Sequence, residues 1–386
     1  MPMKKIVILG STGSIGVSTL EVAAANRDRF RVVGLTGNNN LDLLEKQIQR
    51  FHPEVVVVGT VEAAARLKKK YRQQIRILHG PEGLLTAATW TGVDLIVSSL
   101  IGALGLEPTL AAIAKGRDIA LANKEVLVMA GSIVMAEASR RKVKILPVDS
   151  EHSALWQCLK NEPAKNVSRL ILTASGGPFW QLSQQELFFV DVTRTLAHPT
   201  WNMGRKVTVD SATLMNKGFE VIEAHHLFGI ELAKIQIVIH PESIVHSMVE
   251  FTDGSVIAQM AVPDMKLPIQ YALCYPDRPA NDLPKLDLAR TGKLTFTKPE
   301  FSRFPCLKYA FQAARIGGTM PAVMSAADEI AVQSFLENKI GFIQISKVID
   351  NVMKKHKSID RPTLSKIIKA ADWARTEAKK YIKRLG

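Results

Sequence analysis

"KIVILGSTGSIGVSTLEVA", residues 5–23, decides the fold class, because an apolar strand pattern runs through a glycine-rich turn into a helical pattern. Gly10, Gly13 and Gly16 stand in a G-x-x-G-x-x-G spacing directly after the strand. Glycines let the backbone approach a pyrophosphate, and the amides at a helix N-terminus then face its charge. A plain structural turn is the alternative, since a glycine triplet alone is a weak signal. The strand-turn-helix context favours dinucleotide binding.

Apolar runs and helical patterns alternate from residue 4 to about residue 150, which predicts a parallel sheet with helices on both faces. The runs are "KIVIL", "RVVGLT", "EVVVVG", "VDLIVSS", "DIALA" and "VKILPV". After residue 150 the strand patterns are "SRLILTA", "KIQIVIH" and a hairpin of "IVHSMVEF" and "SVIAQMA" around an Asp-Gly turn. These later strands predict a smaller, mostly antiparallel sheet.

The length of 386 residues indicates two or three domains. We expect an α/β chain with an N-terminal Rossmann-like parallel sheet domain over 1–149 and an α+β domain with a mostly antiparallel sheet over 150–274. Five prolines exclude a long helix between 275 and 305, which predicts a Pro-rich linker. The helical pattern from 306 to 386 predicts a C-terminal α-helical domain.

The net charge of +14 is concentrated at the C-terminus, where residues 339–386 hold 13 Lys or Arg against 4 Asp or Glu. The last helical pattern has one apolar stripe with lysines on its other face, which predicts a docked helix with a solvated basic back. RNA or membrane binding is the alternative, but this helical pattern offers only Trp373 and Tyr381 as aromatic residues that could stack on bases.

Two further features concern the cellular compartment. Cys158, Cys274 and Cys306 are odd in number and far apart, which favours a reducing compartment. No stretch reaches about 18 uninterrupted apolar residues, so we predict no transmembrane helix.

The end of the second predicted strand indicates which nucleotide is bound. An NAD enzyme usually carries an acid there for the ribose hydroxyls, but this chain has "GLTGNNNLD", with Asn38, Asn39 and Asn40 in its place. Without a carboxylate to repel it, a 2'-phosphate is permitted, which favours NADP.

Two carboxylates follow the strand pattern of "ILPVDSEHSAL", residues 145–155. Asp149 and Glu151 could bind one divalent cation, because Mg²⁺ and Mn²⁺ prefer oxygen ligands. Alternatively, Ser150 or Asp149 caps the next helix, with Glu151 in its first turn. This stretch alone leaves both possibilities open.

A second strand-like pattern runs into Asp-Ser in "VTVDSATLMNKGFEVIEAHHLFG", and we expect a helix to begin at Ser211. Asn216, Lys217 and Glu220 then share a helix face. Glu223 is a rival for any ligand role of Glu220, and an exposed Lys-Glu pair is the alternative. Gly218 within this helix predicts a close approach to its backbone.

Three loops complete the candidate site. "TASGGPF" offers Ser175 and two glycines suited to an anionic group, and "LANKEVLVMAG" places Lys124 on the nucleotide side of a parallel strand. "AHPTWNMGRK" combines His198 and Trp201 with cations in a segment lacking a helix or strand pattern, which suggests a lid. A merely exposed loop histidine is the alternative.

The motifs "GSTGSIG", "ANKE", "PVDSEHSA", "SGGPF", "HPTWNMG" and "VDSATLMNKGFEVIEA" together closely resemble the 1-deoxy-D-xylulose 5-phosphate reductoisomerase family, in its order and spacing. The resemblance implies conversion of 1-deoxy-D-xylulose 5-phosphate to 2-C-methyl-D-erythritol 4-phosphate in the non-mevalonate isoprenoid pathway. It also implies NADPH and a divalent cation (Mg²⁺, Mn²⁺ or Co²⁺) as cofactors. A cytoplasmic homodimer is implied, formed through the sheet of a catalytic domain over 150–274, without nucleic-acid or membrane partners.

The resemblance carries roles onto individual residues. The implied metal ligands are Asp149, Glu151 and Glu220, with Glu220 preferred over Glu223. The substrate phosphate would contact Ser175, Ser211, Asn216, Lys217 and His198, while Trp201 would pack on the carbon skeleton. Ser150 and Lys124 would contact substrate hydroxyls. Catalytic roles would fall to Lys124, Asp149, Glu151, Glu220 and His198. The implied NADPH contacts are Thr12, Gly13, Ser14, Ile15, Asn38, Asn39, Asn40, Asn123, Glu125 and Gly204.

The chain departs from the family pattern in "PAVMSAADEIAV", where Ser325 and Asp328 replace the usual asparagines. We expect this change to affect C-terminal packing and not the chemistry.

The residues are also compatible with two other functions. One is a metal-independent, nucleotide-dependent oxidoreductase acting on a small phosphorylated or carboxylated substrate. The other is a nucleic-acid-binding protein that uses the basic C-terminal segment.

Overall fold

The computed structural model describes residues 3–72, 74–201 and 203–385. The chain forms two compact units. The first comprises Met1–Val126, Val134–Ser153 and Asp264–Leu283, and the second comprises Leu127–Ile133, Ala154–Pro263 and Pro284–Gly386. Within the described residues, no helix is both long and apolar enough to cross a membrane.

A parallel sheet forms the core of the first unit. In the described part of the chain it has seven strands: β1 (Lys4–Leu9), β2 (Phe30–Thr36), β3 (Val55–Val58), β4 (Arg76–His79), β5 (Leu95–Ser98), β6 (Asp118–Leu121) and β7 (Ile145–Pro147). Their order is β4-β3-β2-β1-β5-β6-β7. The order reverses at β1, and open α/β sheets bind ligands outside the carboxyl ends of the strands at such a switch point.

Helices complete both units. They are α1 (Ser14–Ala25), α2 (Leu41–Phe51), α3 (Val61–Tyr71), α4 (Gly80–Ala88), α5 (Leu106–Ala114), α6 (Glu125–Arg141), α7 (Ser150–Cys158), α8 (Val192–Leu196), α9 (Arg205–Ala212), α10 (Met215–Phe228), α11 (Lys266–Cys274), α12 (Leu288–Thr291), α13 (Pro305–Ile316), α14 (Met320–Leu336), α15 (Phe342–Lys355) and α16 (Leu364–Ile382). Short 3-10 helices span Gly102–Gly105, Ala164–Asn166, Glu186–Phe189 and Leu232–Lys234.

The parallel sheet predicted from the alternating pattern is confirmed. Its edge strand β4 was not predicted. This strand has only two apolar residues, Ile77 and Leu78, between the exposed ends Arg76 and His79. It lies at the edge of the sheet and pairs only with β3 among the described strands. An edge strand needs little apolar patterning, because one side of it has no neighbour.

The second unit contains a four-stranded mixed sheet in the described part of the chain, in the order β11-β10-β8-β9. Its strands are β8 (Val167–Ala174), β9 (Ile235–Ile239), β10 (Val245–Phe251) and β11 (Val256–Met260). β10 is antiparallel to β8 and β11, whereas β8 and β9 are parallel. The Asp-Gly hairpin is confirmed, with Gly254 at φ 86° in its turn.

The predicted strand before Ser211 is wrong, because residues 205–212 form α9. The β-branched residues of this stretch favoured a strand locally, but an i,i+4 ion pair of Lys206 with Asp210 supports the helix. Consequently Ser211 lies in the last turn of α9, and the next helix, α10, begins at Met215.

The C-terminal helix α16 packs against α14, which confirms the predicted docked helix. Its buried residues are Ile367, Ala370, Ala371, Ala374 and Ala378, and most of its lysines are exposed.

After the second sheet, the chain returns to the first unit over Asp264–Leu283. Lys4 Nζ donates to the carbonyl of Leu273 in α11 at 3.1 Å, and Arg29 pairs with Asp277 at 2.8 Å. Part of the stretch predicted as a linker therefore belongs to a compact unit. Between 284 and 304 the described chain contains the four-residue α12, an isolated β-bridge of Thr297 with Ile239 and a turn at residues 301–303.

Candidate active site

The glycine-rich turn joins β1 to α1, and two of its glycines are required by close packing. Gly10 has φ 91°, and a Cβ there would meet Ser99 O at 2.6 Å. A Cβ on Gly16 would meet Gly10 O at 2.2 Å. At Gly13 the nearest atom would be 3.5 Å away, an ordinary contact. A Cβ at Gly13 would therefore be tolerated by the protein's own atoms.

The N-terminus of α1 is chemically suited to an anion. Its N-cap residue, Gly13, makes no side-chain capping bond, and the described first turn contains no acidic residue. The first amides of a helix have no partner within the helix, so they face outward with a partial positive charge. Thr12, Ser14 and Ile15 adjoin these amides in sequence.

The asparagines after β2 have structural roles of their own. Asn40 Oδ1 accepts a hydrogen bond from Leu43 N at 3.1 Å and so caps α2. The Asn38 side chain lies against Gly59, where a Cβ would be only 1.9 Å from Asn38 Oδ1. Both residues were predicted only as nucleotide contacts, and these local roles were not predicted, although an Asn before a helical pattern is a capping signal.

The loops after β6 and β7, which are neighbouring strands, bring Lys124 and Asp149 into an ion pair. Beside them, the Asn123 amide donates to Gly102 O at 3.2 Å and to Glu125 Oε2 at 2.6 Å. The pattern "ANKE" is thus a connected polar group at the carboxyl edge of the parallel sheet.

Asp149 also caps α7, so the capping alternative is realised. Its Oδ1 accepts from Glu151 N at 3.1 Å and lies 3.1 Å from His152 Nδ1. Ser150 Oγ donates to Glu151 Oε2 at 2.5 Å. A cap and a cation ligand remain compatible, because a carboxylate has about four lone-pair sites. The sequence analysis missed the fully buried His152, whose i,i+3 spacing from Asp149 was the available signal.

In the second unit, three predicted phosphate-site residues lie together. His198 Nε2 is 3.0 Å from Ser175 Oγ and 3.2 Å from Ser211 Oγ. A Cβ on Gly177 would meet Ser211 O at 2.8 Å, so the loop after β8 lies directly against the last turn of α9. Ser175 and Ser211, which are 36 positions apart in the printed sequence, thus meet around one imidazole.

The hydrogen bonds of His198 define its tautomer. The backbone amides of Thr200 and Trp201 donate to Nδ1 at 3.2 and 3.0 Å. Nδ1 is therefore an acceptor, and Nε2 carries the proton that faces the two serines. Burial lowers the pKa of His198, which favours this neutral form.

The segment from His198 to Gly204 has no helix or strand among its described residues, as predicted, and Asn202 lies outside them. The Trp201 ring is 6.3 Å from the His246 ring, and Thr200 Oγ1 donates to Pro241 O at 3.4 Å. Gly204 is the N-cap residue of α9. This segment is therefore anchored at the turn before β10.

The α10 cluster is buried, which excludes the alternative of an exposed Lys-Glu pair. Glu220 Oε1 accepts from Asn216 Nδ2 at 2.6 Å, and Glu220 Oε2 pairs with Lys217. The side chains of Lys217 and Glu220 are only 4% and 1% exposed. Glu223 on the same helix is also fully buried. The close approach predicted at Gly218 is that of α13, since a Cβ would be 2.5 Å from Ala310 Cβ.

Three family models match the chain. The model described as "1-deoxy-D-xylulose 5-phosphate reductoisomerase" matches residues 6–131. The models of the "1-deoxy-D-xylulose 5-phosphate reductoisomerase C-terminal domain" and the "DXP reductoisomerase C-terminal domain" match residues 145–228 and 260–377. Together they account for most of the sequence.

Individual relatives agree along the whole chain. A 1-deoxy-D-xylulose 5-phosphate reductoisomerase from Caldanaerobacter subterraneus subsp. tengcongensis is 54% identical over 95% of this chain and 96% of its own length. A crystal structure of DOX-P reductoisomerase in complex with NADPH, fosmidomycin and magnesium has a TM-score of 0.95 at 40% identity, covering 99% of both chains. The Zymomonas mobilis enzyme in complex with NADPH has a TM-score of 0.92 at 39% identity, covering 98% of this chain and 99% of its own. This chain belongs to the 1-deoxy-D-xylulose 5-phosphate reductoisomerase family.

Proposed function

We propose that this chain converts 1-deoxy-D-xylulose 5-phosphate to 2-C-methyl-D-erythritol 4-phosphate, using NADPH and a divalent cation. The observation that carries the proposal is the cluster of Ser175, His198 and Ser211, which offers hydroxyl and imidazole donors to one anionic group. Family membership supplies the reaction, and a solved relative at 40% identity is a complex with NADPH, fosmidomycin and magnesium.

The first unit would bind NADPH at the switch point of its sheet. The open N-terminus of α1 suits the pyrophosphate, and the absence of an acid among Asn38, Asn39 and Asn40 suits a 2'-phosphate. The remaining proposed contacts are Thr12, Gly13, Ser14, Ile15, Asn123, Glu125 and Gly204. When bound, NADPH supplies the hydride that reduces the aldehyde formed by rearrangement of the substrate.

The proposed cation ligands are Asp149, Glu151 and Glu220. Their oxygens are the donors that Mg²⁺, Mn²⁺ or Co²⁺ takes at such sites. In the structure Lys124 pairs with Asp149 and Lys217 pairs with Glu220, and a bound divalent cation would replace these ammonium groups as the positive partner of the two carboxylates. When bound, the cation acts as a Lewis acid on the substrate's carbonyl and hydroxyl oxygens. Asp149 is additionally fixed by its cap to α7, which restricts the orientation of its carboxylate.

The proposed phosphate contacts are Ser175, His198, Ser211, Asn216 and Lys217. Lys217 brings the charge, and His198 donates from Nε2 while its Nδ1 is held by two backbone amides. Binding the phosphate, which does not react, positions the carbon skeleton and so lowers the barrier to its rearrangement.

Three further side chains complete the proposal. Lys124 and Ser150 would contact substrate hydroxyls, where the Lys124 ammonium can hold or move a proton. Trp201 would pack on the carbon skeleton and exclude water, and its anchored segment would act as the lid.

A role-based division of the chain also belongs to this proposal. Residues 1–149 would bind NADPH, and 150–274 would carry the chemistry and the dimer interface. Of the predicted linker 275–305, the part after Leu283 would lead to the helical residues 306–386. The three cysteines are free and buried, which supports a cytoplasmic location.

We place the homodimer interface at β11. Among the described strands this is an edge strand, and it exposes Val256 and Ile257 at 49% and 46%. An uncovered apolar edge strand is an association surface. Ile257→Lys should convert the dimer to a monomer in light scattering, whereas a change at an exposed residue of another element, such as Lys369→Glu, should not. A dimer that survives Ile257→Lys argues against this interface.

The function is tested by mixing the purified chain with 1-deoxy-D-xylulose 5-phosphate, NADPH and Mn²⁺ and following NADPH oxidation. The product should be 2-C-methyl-D-erythritol 4-phosphate by NMR, and EDTA should abolish turnover until Mn²⁺ is restored. Undiminished NADPH oxidation in EDTA would instead favour a metal-independent oxidoreductase.

A further inference from the structure

The junction between α9 and α10 contains a leucine with a left-handed backbone. Leu214 has φ 59° and ψ 12°, while α9 ends at Ala212 and α10 begins at Met215. An L-residue is rare in this conformation, because its Cβ crowds the following carbonyl oxygen. Glycine or asparagine is the usual occupant, so the choice of leucine needs a reason.

The left-handed residue connects the two helices that carry the proposed phosphate contacts. Leu214 N donates to Ser211 O at 3.2 Å, and Leu214 O accepts from Gly218 N at 3.1 Å. Ser211 thus lies in the last turn of one helix, and Asn216 and Lys217 lie in the first turn of the next. A junction in the ordinary right-handed region would continue α9 and carry these side chains to other faces.

We infer that Leu214 is a positioning residue whose left-handed backbone sets Ser211 against Asn216 and Lys217 around the substrate phosphate. This inference rests on the proposed phosphate site and deepens it. Strained backbone that persists beside functional groups must be over-determined by its surroundings.

The surroundings of Leu214 supply that constraint. Leu214 is only 3% exposed, so its side chain is almost fully buried. Burial of a leucine side chain is favourable and offsets the backbone strain. Thr213 braces the same turn, because its hydroxyl donates to Asp210 O at 3.2 Å and accepts from Met215 N at 3.3 Å.

A leucine that only filled the core would respond differently to substitution. Leu214→Ala removes the packing and keeps the strain, so the junction should relax away from its left-handed conformation. Leu214→Gly removes both, so the junction should persist. Leu214→Met keeps the bulk, whereas Leu214→Val adds a β-branch that this conformation tolerates poorly.

The experiment measures kcat, the KM values for 1-deoxy-D-xylulose 5-phosphate and NADPH, and the Ki of inorganic phosphate as a competitive inhibitor. Leu214→Ala and Leu214→Val should raise the substrate KM and the phosphate Ki about tenfold, and Leu214→Gly and Leu214→Met at most about threefold. The KM for NADPH should change less than about twofold in all four variants. If Leu214→Ala fails to fold, the Met and Val pair gives the same comparison.

Leu307 is the matched control, because it is fully buried within the regular helix α13. At Leu307, glycine should lower the melting temperature more than alanine, whereas at Leu214 alanine should be the more harmful of the two. The phosphate Ki should be unchanged in both Leu307 variants. The inference is overturned if Leu214→Gly raises the phosphate Ki as much as Leu214→Ala does. It is also overturned if the KM for NADPH rises as much as the KM for 1-deoxy-D-xylulose 5-phosphate.

Failure of the phosphate site itself would look different. If Ser211→Ala leaves the substrate KM and the phosphate Ki unchanged, the proposed site is wrong and this inference falls with it. If Ser211→Ala raises both while Gly and Ala at Leu214 behave alike, only the role of Leu214 is wrong.

Discussion

His198 Nε2 lies 3.0 Å from Ser175 Oγ, and it carries the ring proton because backbone amides donate to the other ring nitrogen. A doubly protonated ring would turn an N–H toward the amides of Thr200 and Trp201. His198 is therefore fixed as a neutral donor, in agreement with the lowering of its pKa by burial.

The first prediction concerns pH. Because the folded-state pKa of His198 is below its ordinary value, the ring stays neutral above about pH 6.5 and does not titrate there. We expect the substrate KM to show no rise from His198 between about pH 7 and 8.5. A rise in KM over this range that disappears in His198→Gln would show that a cationic imidazole binds the phosphate.

The same pKa shift has a consequence for folding. A histidine with a lowered folded-state pKa binds fewer protons folded than unfolded, so its contribution to stability falls as the pH drops below about 6.5. His198→Gln should reduce the acid sensitivity of the urea midpoint between pH 6.5 and 5. An unchanged pH profile would contradict this account.

The second prediction concerns Lys206, which pairs with Asp210 at 2.5 Å and with Asp328 at 2.9 Å. Both carboxylates are nearly fully buried, with exposures of 3% and 0%. Lys206→Met leaves two buried carboxylates without this cation and should cost about 3–5 kcal/mol in the free energy of unfolding. Asp328→Asn keeps the Lys206–Asp210 pair and should cost about 1 kcal/mol or less.

Urea denaturation of both variants tests this difference, with Lys369→Met on α16 as the exposed control. Equal stability of Lys206→Met and Asp328→Asn would show that Lys206 does not hold the buried acids. Asp328 pairs with Lys206 of α9, the helix whose last turn contains Ser211, so its effect extends beyond the C-terminal packing expected from the sequence.

The third prediction separates the glycines of the β1–α1 turn. Gly16→Ala forces a Cβ against Gly10 O at 2.2 Å and should destabilise the protein by roughly 1–3 kcal/mol or more. Gly13→Ala meets nothing closer than 3.5 Å and should change stability by less than about 1 kcal/mol.

Gly13→Ala, which should change stability little, should nevertheless lower the affinity for NADPH. Gly13 is the N-cap residue of α1, so a methyl group there would lie beside the first amides of the helix. Gly13→Ala should therefore weaken NADPH binding measured by cofactor fluorescence while the melting temperature is kept. Unchanged NADPH affinity in Gly13→Ala would argue against pyrophosphate binding at this turn.

Regular patterns in the sequence predicted most of the fold. The parallel sheet followed from alternation of β-rich runs and helical segments. The second sheet was predicted as mostly antiparallel from runs that include an Asp-Gly hairpin, and the parallel pairing of β8 with β9 was not predicted. The edge strand β4 was missed because only Ile77 and Leu78 carry its apolar pattern. The stretch before Ser211 was predicted as a strand because its residues have a local β-propensity. Tertiary burial of residues 208–212 overrides that propensity, and the stretch forms a helix.

The candidate site was predictable by residue type more than by geometry. Loop residues such as Ser175 and His198 were identified from chemistry, but their meeting with Ser211 depends on long-range packing that no local pattern encodes. The left-handed backbone of Leu214 and the capping role of Asn40 were not foreseen. Backbone strain at a leucine has no signature in composition or spacing, because it is the surrounding packing that enforces it.

Glu220, and not Glu223, is the residue of α10 that we propose to bind the catalytic cation, and a comparison of Glu220→Gln with Glu223→Gln distinguishes the two. Both residues are buried on α10, so the pair is matched for burial and charge loss. Glu220→Gln should abolish turnover with Mn²⁺ and weaken Mn²⁺ binding in a titration while NADPH still binds, and Glu223→Gln should be much milder. Retained Mn²⁺ affinity and turnover in Glu220→Gln, with their loss in Glu223→Gln, would contradict the assignment.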